Sequence, residues 1–307
     1  MKEEREMALQ EGQKEFFEER LGQRICCERK SANAPLFMTT AHYHDFYEIY
    51  YLVYGERKYF IDDSVFLLKK GDFVLIPRDT LHRTTFTSQT KHERILVYFP
   101  GRIMDPSLLG EVFSGYKLSV PIYKTAFVEE LFRKMEAEQD NTDGYSAKLM
   151  SHYLFELLVF LSRLRKNVGY VNEDKMHDAH ILAAVKYINT HFDQNLTLPK
   201  MAAMFSLSDA YFSRKFKDTT GFGFSEYLNY TRILAAAKLL TSTDLSVMEV
   251  SHICGFNDSN YFTVVFKKIN GTTPLVYRRT NRPLLKKIKN DKGLLQVLEF
   301  EQQQPLK

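Results

Sequence analysis

Residues 211–221 read YFSRKFKDTTG, and residues 261–271 read YFTVVFKKING. Tyr, Phe, Phe, Lys and Gly recur at the same places, five identities in eleven at an offset of 50 residues. A short segment written twice is the mark of a repeated supersecondary unit, so the C-terminal part must hold two copies on one scaffold. In the first copy, LTLPKMAAMFSLSDAYFSRKFKDTTG, Pro199 suits a first helical turn. The reading is a short helix over about 198–205, a tight turn at Ser206 and Leu207, and a helix over 209–219. Ser208 serves as its N-cap, and Gly221 ends it. Phe212 and Phe216 share the inner face, while Ser213, Arg214 and Lys217 point out.

The second copy, LSVMEVSHICGFNDSNYFTVVFKKINGTTP, repeats the plan with helices over about 246–254 and 259–269. Gly255 ends the first and Asp258 caps the second. Phe262 and Phe266 point in; Asn260, Thr263, Val264 and Lys267 point out. Between the copies, FSEYLNYTRILAAAKLLT (224–241) reads as one helix with Phe224, Leu228, Ala235 and Leu239 on its buried stripe. Each copy has the helix-turn-helix pattern. Two such units on a rigid connector can enter successive major-groove faces about 34 Å apart. The bland alternative is a helical repeat packing on itself. The Phe pairs are core either way, and the outward Arg and Lys favour DNA.

Charge agrees with this reading. From Asp178 onward there are 17 Lys and Arg against 11 Asp and Glu, which leaves the first 177 residues at −2 of the total +4. A basic C-terminal part behind a slightly acidic one fits nucleic acid held at one end. No apolar run reaches about 18 residues and the N-terminus has no apolar signal core, so the expected location is the cytoplasm. Cys26, Cys27 and Cys254 are too few for a disulfide framework, and adjacent residues of a strand point apart.

Residues 178–281 resemble the DNA-binding domain of AraC/XylS-type transcriptional regulators. The resemblance rests on LSDAYFSRKFKDTTG, YTRILAAAKLL and VSHICGFNDSNYFTVVFKKINGTTPLVYRR. It implies base reading by Ala210, Ser213 and Arg214, and by Ser259, Asn260, Thr263 and Val264. It implies phosphate contacts from Ser208, Tyr211, Lys217 and Lys267. Val264, the counterpart of Arg214, departs from the family, where Arg is frequent; valine can touch a thymine methyl but cannot hydrogen bond.

Upstream the character is different. Residues 1–24 read as a polar helical extension. Over 25–123 the runs HDFYEIYYLVYG, RKYFID, DSVFLLKK, GDFVLIP and ERILVYF suggest many short strands in a barrel or sandwich. AFVEELFRKMEAEQ and YSAKLMSHYLFELLVFLSRLRK then read as a helical hairpin within 124–177, ending in a linker over 167–178. In the longer helix Leu149, Tyr153, Leu157, Phe160 and Leu164 form one stripe, and Leu154, Leu158 and Leu161 add a second. Two stripes suit two partners, the barrel and a second subunit. The tail, 282–307, is basic and then Gln-rich, with no firm structure read in it. The fold class is therefore a multidomain α+β chain: an N-terminal β-barrel with a helical hairpin, then an all-α domain with two helix-turn-helix units.

His42, His44 and Glu48 lie at even steps of one strand, and His82 follows a turn at Pro77–Asp79. HxHxxxE followed by Gly55, and Gly71 to Pro77 to His82, resemble the two motifs of the cupin barrel. Asp79 stands where that pattern has Gly, and Phe86 where it often has Asn. Three readings stay open: a divalent metal site, a polar lining for an organic effector, or a relic. Tyr43, Tyr47, Arg57 and Arg83 are near enough in sequence to touch a sugar. Together the resemblances imply a sequence-specific regulator, an activator by family habit, with a small-molecule effector such as a sugar. Double-stranded DNA, a homodimer partner and RNA polymerase are the implied partners. A metal-dependent cupin enzyme, or a metal sensor fused to a DNA-binding domain, is the alternative; no catalytic residue and no obligatory cofactor is assigned.

Overall fold

A computed structural model describes residues 25–32, 43–86, 91–141, 143–168 and 179–290. The chain divides into two compact units, one of residues up to 183 together with Ala210–Phe222, the other of Ala184–Asp209 together with Gly223 onward.

In the first unit, β1 (Cys26–Ala32), β7 (His92–Phe99), β2 (Tyr47–Tyr54), β5 (Asp72–Ile76) and β8 (Lys117–Ser119) form a five-stranded sheet in that order. β4 (Ser64–Leu68), β3 (Arg57–Ile61) and β6 (His82–Phe86) form a three-stranded one. The recorded pairings are antiparallel. Strand alternation sends Ile49, Tyr51, Phe73, Leu75, Ile95, Val97 and Phe99 to one side of the larger sheet. It sends Tyr50, Leu52, Val74, Ile76, Leu96 and Tyr98 to the other. The second side meets Tyr59, Ile61, Phe66 and Leu68 of the small sheet, closing a two-sheet barrel. The first side is covered by α1 (Pro106–Val112), α2 (Thr125–Gln139) and α3 (Ser146–Val168). Because both sides are buried, these strands carry apolar residues at nearly every position. Cys26 and Cys27 sit on opposite sides as buried free thiols.

The expected strands are present, and β1, β8 and α1 are additions to the sequence reading. α1 starts where Asp105 accepts hydrogen bonds from the Ser107 and Leu108 amides, with Pro106 next. The two expected stripes of α3 are buried unequally. Leu154, Leu158 and Leu161 are fully buried, with Leu157 and Leu164 beside them, whereas Leu149 is 37% exposed. Tyr153 and Phe160 are only partly buried. The second stripe is the core one; the other lies at its edge.

The second unit is helical. It contains most of α4 (Ala179–His191), together with α5 (Leu198–Met204), α7 (Phe224–Ser242), α8 (Val247–Ile253), α9 (Ser259–Asn270) and α10 (Pro274–Asn290). Asp209–Thr220 forms α6, which groups with the first unit. α7 corrects the expected stripe. Phe224, Tyr227 and Leu228 are buried at its start, but Ile233, Ala236, Ala237 and Leu240 are buried towards its end. At 100° per residue these groups lie on opposite faces, so Ala235 and Leu239 are only partly buried. A connector serving a unit at each end must change face midway. α10 also runs on to Asn290, nine residues into the expected tail. The expected helix over 1–24, the linker residues 169–178 and the tail beyond 290 lie outside the described residues.

Candidate DNA-reading surface and barrel interior

The helix-turn-helix elements form where their local chemistry requires. Thr197 caps α5 by accepting from the Lys200 amide, with Pro199 in the first turn. Ser206 at φ 55° makes the turn before α6. In the second copy Ser246 and Glu249 form a reciprocal capping box on α8. Gly255 at φ 80° ends α8; a Cβ there would stand 2.7 Å from the Asp193 carbonyl oxygen. Asp258 then caps α9 by accepting from the Asn260 amide.

Phe212, Phe216, Phe262 and Phe266 are all fully buried. On α6 and just before it, Ser208, Ala210, Tyr211, Ser213, Arg214 and Lys217 are exposed. On α9, Asn260, Val264 and Lys267 are exposed, and Ser259 and Thr263 are half-buried. Arg214 lies over the Tyr211 ring at 6.0 Å. The Thr263 hydroxyl donates to the Ser259 carbonyl of its own helix at 2.9 Å, so it must turn to meet a base. Tyr261, the counterpart of Tyr211, is 52% exposed and takes a hydrogen bond from Asn229 Nδ2 at 3.1 Å. The repeat itself carried the signal for Tyr261, which the sequence reading left out.

Inside the barrel, inward side chains stack in layers that the register defines. Glu48 pairs with Tyr98, and Ile61 with His82; Tyr50 pairs with Leu96, and Tyr59 with Thr84; Leu52 pairs with Arg94, and Arg57 with Phe86. His44 Nε2 lies 3.0 Å from Glu48 Oε2, and His82 Nε2 lies 3.6 Å from the same oxygen. His42 lies outside the described residues. Of the other residues expected near a ligand, Arg57 points in. Arg83 alternates to the outer side of β6, and Tyr43 is partly buried. Tyr47 belongs to the outer core, 4.6 Å from Phe113 ring to ring. Tyr50, Tyr59, Thr84, His92 and Arg94 also line the inside; only strand alternation within the right sheet reveals them.

Both motif turns keep the backbone their pattern demands. Gly55 has φ 92°, and a Cβ there would meet the Lys91 carbonyl oxygen at 2.5 Å. Asp79, in place of Gly, still adopts φ 58°, a conformation Asp tolerates better than most residues. Its amide donates to the His44 carbonyl at 2.7 Å, tying the turn to the cluster.

Hydrogen bonds define the cluster's chemistry. His44 Nδ1 donates to the Phe46 carbonyl at 2.9 Å and His82 Nδ1 to the Thr80 carbonyl at 2.8 Å, since a carbonyl can only accept. A neutral ring would then aim the Nε2 lone pair at an anionic oxygen. Either Nε2 carries a proton, making an imidazolium, or a cation stands between. Burial works to raise the Glu48 carboxyl, but hydrogen bonds from His44 and His82 and their charge outweigh it and hold it below the usual carboxylate range. The three donor atoms lie within 4.8 Å of one another, and a ring held by its other nitrogen on a carbonyl is the usual posture of a metal-binding histidine. The residues fit a divalent cation.

A family model described as an AraC-like ligand binding domain matches residues 25–158, and one described as a helix-turn-helix domain matches residues 201–280. The HTH-type transcriptional activator RhaS of Enterobacter sp. (strain 638) is 25% identical over 247 residues, 78% of this chain and 87% of that protein. The activator RhaR of Mannheimia succiniciproducens is 26% identical over 258 residues, 83% of this chain and 91% of that one. Among solved structures, the DNA-binding domain of AdpA in complex with a target DNA is 28% identical, covering 34% of this chain and 96% of that chain, with a TM-score of 0.34. With a ligand-binding module in front and a helix-turn-helix module behind, the chain belongs to the AraC family of DNA-binding transcription regulators.

Proposed function

We propose that this regulator is a cytoplasmic activator that binds promoter DNA as a homodimer and answers to a small molecule held inside its barrel. The observation that carries the DNA-reading half is the repeated helix with its buried Phe pair and exposed polar face, present in α6 and again in α9. Ala210, Ser213 and Arg214 read bases in one major-groove face; Ser259, Asn260, Thr263 and Val264 read the next. Ser208, Tyr211, Lys217 and Lys267 hold phosphates. RhaS and RhaR are named as activators, which supports the same sign of control here; contact with RNA polymerase is part of the same proposal. The buried polar lining of the barrel supports a polar effector, a sugar among the candidates, bound rather than turned over. Such an effector controls DNA binding only by preferring one arrangement of the chain to another.

The test is selection of random duplexes by the full-length chain. Enrichment of one sequence with two half-sites, and affinity that falls linearly in log–log form with salt, is the expected result. Binding without sequence preference overturns the reading.

A second reading has its own observation: two histidines aim Nε2 at one Glu48 oxygen. A divalent cation held by His44, Glu48 and His82 would tie the segment before β2 to the barrel wall and supply a Lewis-acidic contact for a ligand oxygen. Zinc titrated into the full chain by calorimetry should bind once, and His82→Ala should abolish it. Absence of binding at micromolar metal overturns this reading.

A further inference from the structure

The barrel's other inner layers differ in charge from the His–Glu cluster. Arg57 is 0% exposed, and its Nη2 donates to the Thr84 hydroxyl at 3.3 Å. Arg94 occupies the matching inward position of β7, two residues from Leu96, and its Nη1 lies 3.4 Å from His92 Nε2. The strongest electrostatic neighbours of Arg57 are Tyr50, Arg94 and Tyr59. Burial holds its pKa below the usual guanidinium value, and the like charge of Arg94 pushes the same way. The nearby inward acids have cationic partners of their own: Glu28 meets Lys30 at 2.6 Å, and Asp72 meets Lys117 at 3.2 Å. Two guanidiniums therefore share a buried region furnished with tyrosine, threonine and histidine.

Two polar atoms there complete the pattern. The Tyr59 hydroxyl, on a side chain 0% exposed, and Arg94 Nε are buried with no hydrogen bond among the described residues. Buried polar groups in folded proteins are almost always bonded, so such atoms mark the place of a bound group or water. Tyr50 and Tyr59 stack edge to face at 5.3 Å between the arginines and the Glu48 cluster. Successive layers lie two residues apart, about 7 Å along the strands. A ligand spanning them meets cations at one end and the Glu48 acceptor at the other.

We propose that the effector is an anionic polyol, a sugar acid or sugar phosphate, whose acidic group docks on Arg57 and Arg94 while its hydroxyls meet Tyr59 and the Glu48 cluster. This rests on the reading that the barrel holds the effector. A guanidinium is suited to a carboxylate or phosphate because its planar donors match two oxygens at once.

The test titrates the full-length chain calorimetrically with D-glucuronate, D-galacturonate, D-gluconate and D-glucose 6-phosphate, against neutral D-glucose and D-galactose. An acid is expected to bind at least about tenfold more tightly than its neutral counterpart. Preference for the carboxylates or for the phosphate then identifies the source of the charge. Arg57→Lys keeps the charge but loses the fork, and Tyr59→Phe removes one hydroxyl; each is checked for folding by circular dichroism and should weaken acid binding severalfold or more. A neutral sugar whose binding falls in Tyr59→Phe but not in Arg57→Lys overturns the anion and keeps the effector in the barrel. Binding that neither substitution alters places the ligand elsewhere and overturns both readings. If no member of the panel binds, the inference fails and water serves the buried polar atoms.

Discussion

Glu48 is 1% exposed and takes its strongest contacts from two imidazoles, so its charge is stable only while they hold it. Glu48→Gln keeps the shape and removes the anion, and breaking one side of a buried pair costs about 3 kcal/mol. The folded carboxyl titrates below its unfolded value of about 4.5. The stabilisation is therefore complete above that value and is lost as pH falls through the folded pKa. Thermal melts should show a gap between wild type and Glu48→Gln at pH 5 that narrows as pH falls below about 4.5. A gap that stays the same as pH falls well below that value would mean that the carboxylate does not carry the stabilisation. On the DNA side, the exposed guanidinium of Arg214 suits two acceptors of guanine, whereas the role proposed for the exposed Lys217 is a phosphate contact. Arg214→Ala should cost about 1–3 kcal/mol and relax one base position. Lys217→Ala should weaken every sequence alike and lower the salt slope by about one. Uniform loss from both variants, measured by fluorescence anisotropy over a set of operator mutants, would end this division of roles.

Short helices depend on their ends. α8 has seven residues, and its start is held by the Ser246–Glu249 box at 3.1 and 2.7 Å. Ser246→Ala should cost about 1 kcal/mol by urea unfolding. Gly255→Ala should cost more, about 2 kcal/mol or above, because strain at φ 80° adds to a clash with the backbone of residues 192 and 193. Equal effects would show that the cap, not the turn, governs the second helix-turn-helix. The same elements show what a sequence can reveal. Both helix pairs were legible because Phe spacing, caps and glycines agree at each one. β2 to β5 and β7 were legible as apolar runs between turns, and His44, Glu48 and His82 as motif positions. β1 was hidden because CCERKSA is mostly polar, with partners nearly 70 residues away in β7. Arg57 and Arg94 could not be joined by spacing, since only the fold of β3 over β7 brings their charges together. The stripe of α7 failed because one helix buries two opposite faces, a pattern that a single periodicity averages away.

The proposed homodimer concerns the whole molecule. Ile122 is 88% exposed and Tyr123 79%, a few residues before Phe127 at 42%. Phe127 meets the half-buried Phe160 at 5.1 Å, and Lys124 lies over both Tyr123 and Phe160. The result is an apolar strip along α2, α3 and the turn before them, of a kind that soluble chains seldom leave in water. In the proposed homodimer a second copy would cover it, because a twofold axis lets one strip serve as its own partner. Ile122→Asp with Tyr123→Asp should halve the mass seen by sedimentation equilibrium at micromolar concentration. Melting should hardly change, since substitutions at exposed sites usually alter stability by less than about 0.5 kcal/mol. DNA provides the sharper reading. Two copies joined at this strip bind paired half-sites with an effective concentration that can raise affinity about 10²–10⁴-fold over one copy. The double variant should therefore keep its affinity for a single half-site and lose most of that gain on the pair. If it remains dimeric, the contact lies elsewhere. If the wild type is monomeric yet binds paired sites with the full gain, its own two helix-turn-helix units supply the pairing, and the strip has another partner.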